Sequence, residues 1–202
     1  MKLPVISFLA SHGGSSAKFL LNAMQDGTLA AQPGIVVTNN RDSPIFHWCL
    51  EHGVPVRHIS SKTHRGAELA DEAIASVLQQ ADTDLLVCSG YMKVIGPQLL
   101  LHFAGRILNI HPALLPRHGG KGMYGDRVHA AVLAAGDRES GATVHLVEAG
   151  VDEGPVLQQV RVPVLPDDTV DSLRQRVQAV EPALYLEAVQ GLLQRWPAAD
   201  KL

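Results

Sequence analysis

Gly105-Arg106-Ile107-Leu108-Asn109-Ile110-His111-Pro112 is an apolar run that ends in two polar residues spaced by two, with glycine before it and proline after it. A short apolar run framed by turn formers reads as a buried strand. Side chains alternate across a strand, so Asn109 and His111 project from one face at its carboxyl end. In open α/β sheets ligands sit beyond the carboxyl ends of the strands, which makes this strand end a candidate site. The competing reading is structural: a histidine capping a turn and an asparagine ordering the loop.

Working outward, similar runs occur at Val5 to Leu9, Gly34 to Thr38, Val54 to His58, Asp84 to Cys88, Ala142 to Val147 and Val156 to Pro163, with Arg106 to Ile110 among them. Between them lie segments of helical period. Residues 64 to 80 place Leu69, Ala73, Val77 and Leu78 near one face, with Arg65, Glu68, Asp71 and Glu72 mostly elsewhere, which predicts an amphipathic helix. A last long helix starts near Asp168-Thr169, a plausible N-cap. Pro182 interrupts it and draws notice to Glu181 just before. Strands alternating with helices predict an α/β fold: one Rossmann-like, three-layer domain over residues 1–202, with a mostly parallel sheet of about seven strands flanked by helices.

The charges point away from a polyanion partner. The chain carries 17 basic and 20 acidic residues, net charge -3, with no long block of like charge, so no nucleic-acid partner is expected. Cys49 and Cys88 are the only cysteines and lack metal-ligand spacing, which suits a reduced, cytoplasmic protein. No apolar stretch is long enough for a membrane span, and the start of the chain does not read as a secretory signal. Small-molecule substrates and a monomer or homodimer are the expectation.

Two further segments bear on chemistry. Gly141-Ala142-Thr143-Val144-His145 leads into Val151-Asp152-Glu153-Gly154-Pro155, a strand followed by a tight acidic turn. Such a carboxylate is commonly a turn former; within reach of His111 it would instead favour the imidazolium and fix its orientation. Near the N-terminus, Ser11-His12-Gly13-Gly14-Ser15-Ser16 follows the first strand and opens a helix, a ready anion site that matches neither the dinucleotide fingerprint nor the P-loop.

With these motifs in view, the chain resembles the glycinamide ribonucleotide transformylases, folate-dependent formyltransferases, from about residue 4 to about 193. The resemblance is carried by Asn109-Ile-His111-Pro112-Ala-Leu-Leu-Pro116 and Val151-Asp152-Glu-Gly154-Pro155, with support from Ser89-Gly90-Tyr91-Met92 and the glycine-rich run Gly119 to Gly125. It implies transfer of a formyl group from 10-formyltetrahydrofolate, a co-substrate, to the primary amine of glycinamide ribonucleotide, without a metal. It further implies Asn109 and a protonated His111 at the formyl oxygen, with Asp152 moving the proton. Gly13, Gly14, Ser15 and Ser16 would hold the substrate phosphate and Glu181 its amine end. Tyr91, Met92 and Val144 would line the pteridine pocket, and Arg65 and Lys93 would meet the folate glutamate tail. Departures from the family pattern fall at His12, Ser16, Lys93 and Pro182, where glycine, asparagine, arginine and histidine are usual. His12 and Ser16 keep open an alternative acceptor, an amino sugar or a hydroxylated amine.

Overall fold

The computed structural model describes residues 2–195. Its strands are β1 (Val5–Ala10), β2 (Gln32–Thr38), β3 (Val56–His58), β4 (Leu85–Cys88), β5 (Ile107–His111), β6 (Glu139–Leu146) and β7 (Val156–Pro163). Its helices are α1 (Ser15–Gln25), α2 (Pro44–Glu51), α3 (Ala67–Gln80), α4 (Pro97–His102), α5 (Asp126–Ala134) and α6 (Val170–Arg195). The strands form one sheet in the order β3-β2-β1-β4-β5-β6-β7. Pairs within β1 to β5 are parallel, and β6 and β7 continue antiparallel.

β1 and β4 are buried along their whole length, as parallel strands covered on both faces must be, which is why they read as continuous apolar runs. One face packs Phe8, Val87 and Leu108 against Leu20, Leu173 and Tyr185. The other packs Leu9, Leu86 and Ile107 against Ile74, Leu78 and Phe103. Tyr185 donates its hydroxyl proton to the Cys88 carbonyl at 3.0 Å, pinning α6 to the carboxyl end of β4. The strand order reverses between β1 and β4, so a crevice opens beyond their carboxyl ends, where open α/β sheets bind ligands. No helix of the described residues is long and apolar enough to cross a membrane.

Three expectations change in detail. The helix anticipated over residues 64–80 starts at Ala67 and buries Ala70, Asp71, Ile74, Ala75 and Leu78, whereas Leu69 is 49% exposed. Arg65 lies outside it at φ 56, and Gly66 follows at φ 143, backbone that cannot be α-helical. Asp71, assigned to the solvent face, turns inward because its carboxylate accepts the Gln98 backbone N–H at 2.7 Å, fastening the start of α4. α6 runs through Pro182 without a break. The proline forfeits the bond to the Gln178 carbonyl, but Leu173 and Val177 before it and Leu184, Tyr185, Ala188 and Val189 after it are all buried, and this packing carries the helix across. Thr169 does cap it, its hydroxyl accepting the Ser172 N–H at 3.2 Å. β6 begins at Glu139 rather than Ala142, because it pairs with β7 as far as Pro163.

Candidate active site

Register decides which side chains meet. In the β5–β6 ladder Asn109 lies opposite His145 and His111 opposite Thr143, and facing residues project from the same side. The turn after β6 then doubles back. A Cβ on Gly154 would sit 1.9 Å from the Leu146 carbonyl oxygen, so only glycine lets the turn press that closely. Asp152 takes a left-handed backbone there, φ 59, and its carboxylate swings towards β5.

The result is one connected polar group. His111 Nδ1 is 3.3 Å from Asp152 Oδ2, and the Gly120 N–H donates to that same oxygen at 3.0 Å. His111 Nε2 donates to the His118 carbonyl at 2.8 Å. His145 Nδ1 donates to the Leu146 carbonyl at 2.9 Å, which leaves Nε2 to accept the Asn109 amide at 3.2 Å. Burial pushes the His145 pKa below its ordinary value, against the opposing pull of the Leu146 carbonyl and Asp152, so the ring is neutral and suited to accept. A primary amide has two N–H donors; one of Asn109's goes to His145 and the other has no partner among the described residues.

Asn109, His111 and Asp152 line a single cavity of about 730 Å³. Tyr91, Met92 and Lys93 line it from the loop after β4, and Glu181 from α6. That loop is tied to β1, since Ser11 accepts the Met92 N–H at 2.8 Å and donates to Asn39 at 2.6 Å. Burial, then the nearby Cys88 and Asp71, push the Tyr91 phenol well above its usual value, so it stays protonated. Burial likewise pushes Glu181 up to about 7.

Other expected site residues stand apart. Gly13, Gly14, Ser15 and Ser16 do not line the cavity, although their neighbour His12 does. Gly14 is the N-cap of α1 at φ 58, and a Cβ there would lie 2.9 Å from Ile45. Arg65 is exposed on the turn before α3. Val144 is buried in the core with Phe8 and Leu108, because alternation along β6 turns it away from the face that carries His145. In return the cavity includes His129, Arg174 and Gln178, which the sequence reading passed over. Arg174, Gln178 and Glu181 recur at i, i+4 and i+7, a polar stripe on α6 that helical spacing alone reveals. Among the described residues no group of three His, Cys, Asp or Glu side chains is arranged to hold a metal ion.

Fold and cavity define the class: an open, doubly wound α/β protein with an amide–imidazole–carboxylate group at the carboxyl ends of its strands. The family profile described as formyl transferase matches residues 5–189, and the chain belongs to that family. It is 37% identical over 188 residues to the chloroplastic phosphoribosylglycinamide formyltransferase of Arabidopsis thaliana, an alignment covering 93% of this chain and 64% of the relative. It is 38% identical over 186 residues to the phosphoribosylglycinamide formyltransferase of Mycobacterium tuberculosis, covering 91% and 82%. The crystal structure of glycinamide ribonucleotide transformylase 1 from Symbiobacterium toebii superposes with a TM-score of 0.90 at 33% identity, covering 96% of this chain and 89% of that one.

Proposed function

We propose that this chain transfers the formyl group of 10-formyltetrahydrofolate to the primary amine of glycinamide ribonucleotide. Asn109, His111 and Asp152 meeting on one cavity wall is the observation that carries the reading, and the named relatives point to the acceptor.

The neutral amine nitrogen attacks the formyl carbon, a C–N bond forms, and negative charge gathers on the formyl oxygen. In this reading the second Asn109 N–H and the His111 ring, which lies between the His118 carbonyl and Asp152, act on that oxygen. Pre-oriented donors of this kind lower such barriers by about 3–4 kcal/mol. Asp152 takes the proton from the attacking amine, directly or through water, and passes it to the folate nitrogen as the old C–N bond breaks. Tyr91, Met92 and Lys93 are assigned to the folate side, and Glu181, with Gln178, to the amine side. Gly13 to Ser16 stay with the substrate phosphate, since they adjoin His12, which lines the cavity, and Arg65 with the glutamate tail. Two unpaired, buried thiols support a reducing compartment such as the cytoplasm.

The test is a formyl-transfer assay with 10-formyltetrahydrofolate and glycinamide ribonucleotide beside amino sugars and hydroxylated amines. Efficient turnover of glycinamide ribonucleotide is expected. Efficient turnover of another amine, with none of this one, overturns the reading.

A further inference from the structure

We infer that His118 and Asp137, neither of which lines the cavity, are positioning residues that aim the His111 ring at Asp152. The inference rests on the proposed role of His111 in formyl transfer.

His111 reaches Asp152 with Nδ1 because Nε2 is held from behind by the His118 carbonyl at 2.8 Å. That carbonyl points inward because His118 adopts φ 55, a left-handed backbone that is unfavourable for a side-chain-bearing residue. Something must hold it there. The His118 side chain supplies the anchor: its Nε2 donates to Asp137 Oδ2 at 2.8 Å, while Arg117 bonds the other carboxylate oxygen. Asp137 is itself placed by rigid structure, in the turn between α5 and β6, with Gly136 at φ 67 just before it. The His118 bond, ahead of the Arg117 contacts, holds the Asp137 carboxyl below the usual carboxylate range, so the anchor persists at neutral pH. A line of hydrogen bonds thus runs from the α5–β6 turn through Asp137 and His118 to the face of His111 opposite Asp152. It fixes the ring from an otherwise irregular segment, as carboxylate and carbonyl partners fix imidazoles in other sites.

Two variants test the arrangement. His118→Gly removes the anchor while leaving a residue at ease with φ 55, so the fold is kept. Asp137→Asn keeps the shape and removes the charge. Both are expected to lower kcat about ten- to a hundredfold through ring misplacement, with KM for each substrate within about twofold, as expected when only transition-state contacts are lost. In proton–nitrogen correlation spectra, the His111 Nε2–H signal should broaden into exchange with water in both variants. Wild-type kcat with that signal intact, or reduced thermal stability with unchanged kcat per folded molecule, overturns the inference. The spectrum reads the ring without turnover, so a wild type that transfers no formyl group would count against the proposed reaction while His118 and Asp137 were still judged on the signal.

Discussion

Asp152 Oδ2 lies 3.3 Å from His111 Nδ1, with the two side chains 9% and 4% exposed. His111 Nε2 already faces the His118 carbonyl, so the ring is held between that carbonyl and the Asp152 carboxylate. The Gly120 N–H supports the same carboxylate oxygen.

Asp152→Asn tests the proton route while keeping the size of the side chain. The carboxamide can still accept the Gly120 N–H but carries no charge and takes no proton. Positioned acid–base groups contribute about 10²–10⁴-fold, so kcat for formyl transfer should fall by that much. Equal rates for wild type and variant in a steady-state assay would reject Asp152 as the proton carrier.

Glu181 gives a pH-dependent prediction. Burial raises its pKa from 4.5 to about 7, so between those values the folded chain holds a proton that the unfolded chain has released. Stability from this group is complete below 4.5 and is lost as pH rises through about 7. Glu181→Gln removes the penalty. Measured by denaturant unfolding, the variant should match wild type near pH 4.5 and exceed it above pH 7, by at most about 3 kcal/mol. A constant difference across that range would mean that Glu181 is not held up by burial. In the transfer assay the same variant should raise KM for the amine and leave KM for the folate unchanged.

How far these features were legible in sequence follows from local and non-local rules. The β5 site was readable because alternation is a property of the strand itself: Asn109 and His111 must share a face. The Asp152 turn was readable as a turn, but its meeting with His111 depends on β6 pairing antiparallel with β5, which neither segment states alone. Asp71 was misplaced because its partner, the Gln98 N–H, comes from a helix that period analysis of residues 64–80 does not see. Pro182 was read as an interruption within one long helix, and that helix does span it; the local proline rule is offset by the burial of Val177 and Tyr185 on either side, which is tertiary. The stripe of Arg174, Gln178 and Glu181 was visible in the spacing of α6; only Glu181 was picked out, through its proline neighbour and the family resemblance.

His129 is 1% exposed, lines the cavity, and its Nδ1 has no hydrogen-bond partner among the described residues. An unsatisfied buried polar atom costs about 1–3 kcal/mol, so His129→Phe, of similar size, should leave the protein equally stable or more so. Burial first, with Arg174 and His111 adding to it against Asp126, lowers the pKa from 6.5. The unfolded chain therefore binds a proton there that the folded chain resists, and stability is lost as pH falls through 6.5. The gain in His129→Phe should accordingly be larger at pH 5 than at pH 8 in parallel unfolding curves. A marked loss of stability at both pH values would show that the imidazole is satisfied after all.

Asn109 and His145 should behave as one unit. The Asn109 amide gives one N–H to His145 Nε2 at 3.2 Å, and His145 can accept it because its own proton sits on Nδ1, facing the Leu146 carbonyl. Asn109→Ala removes the donor that the proposed reaction sets at the formyl oxygen and should lower kcat by about 10²–10³-fold, the usual loss for one such donor. His145→Phe keeps the bulk of the ring but releases the amide to rotate, so a smaller loss in kcat is expected. If His145 acts by orienting Asn109, the double variant should be no slower than Asn109→Ala alone, a strongly non-additive cycle. Multiplied losses in the double variant would show instead that His145 reaches the reaction by its own route, through its 3.6 Å approach to Asp152 Oδ1, and the order of causes within the site would have to be redrawn.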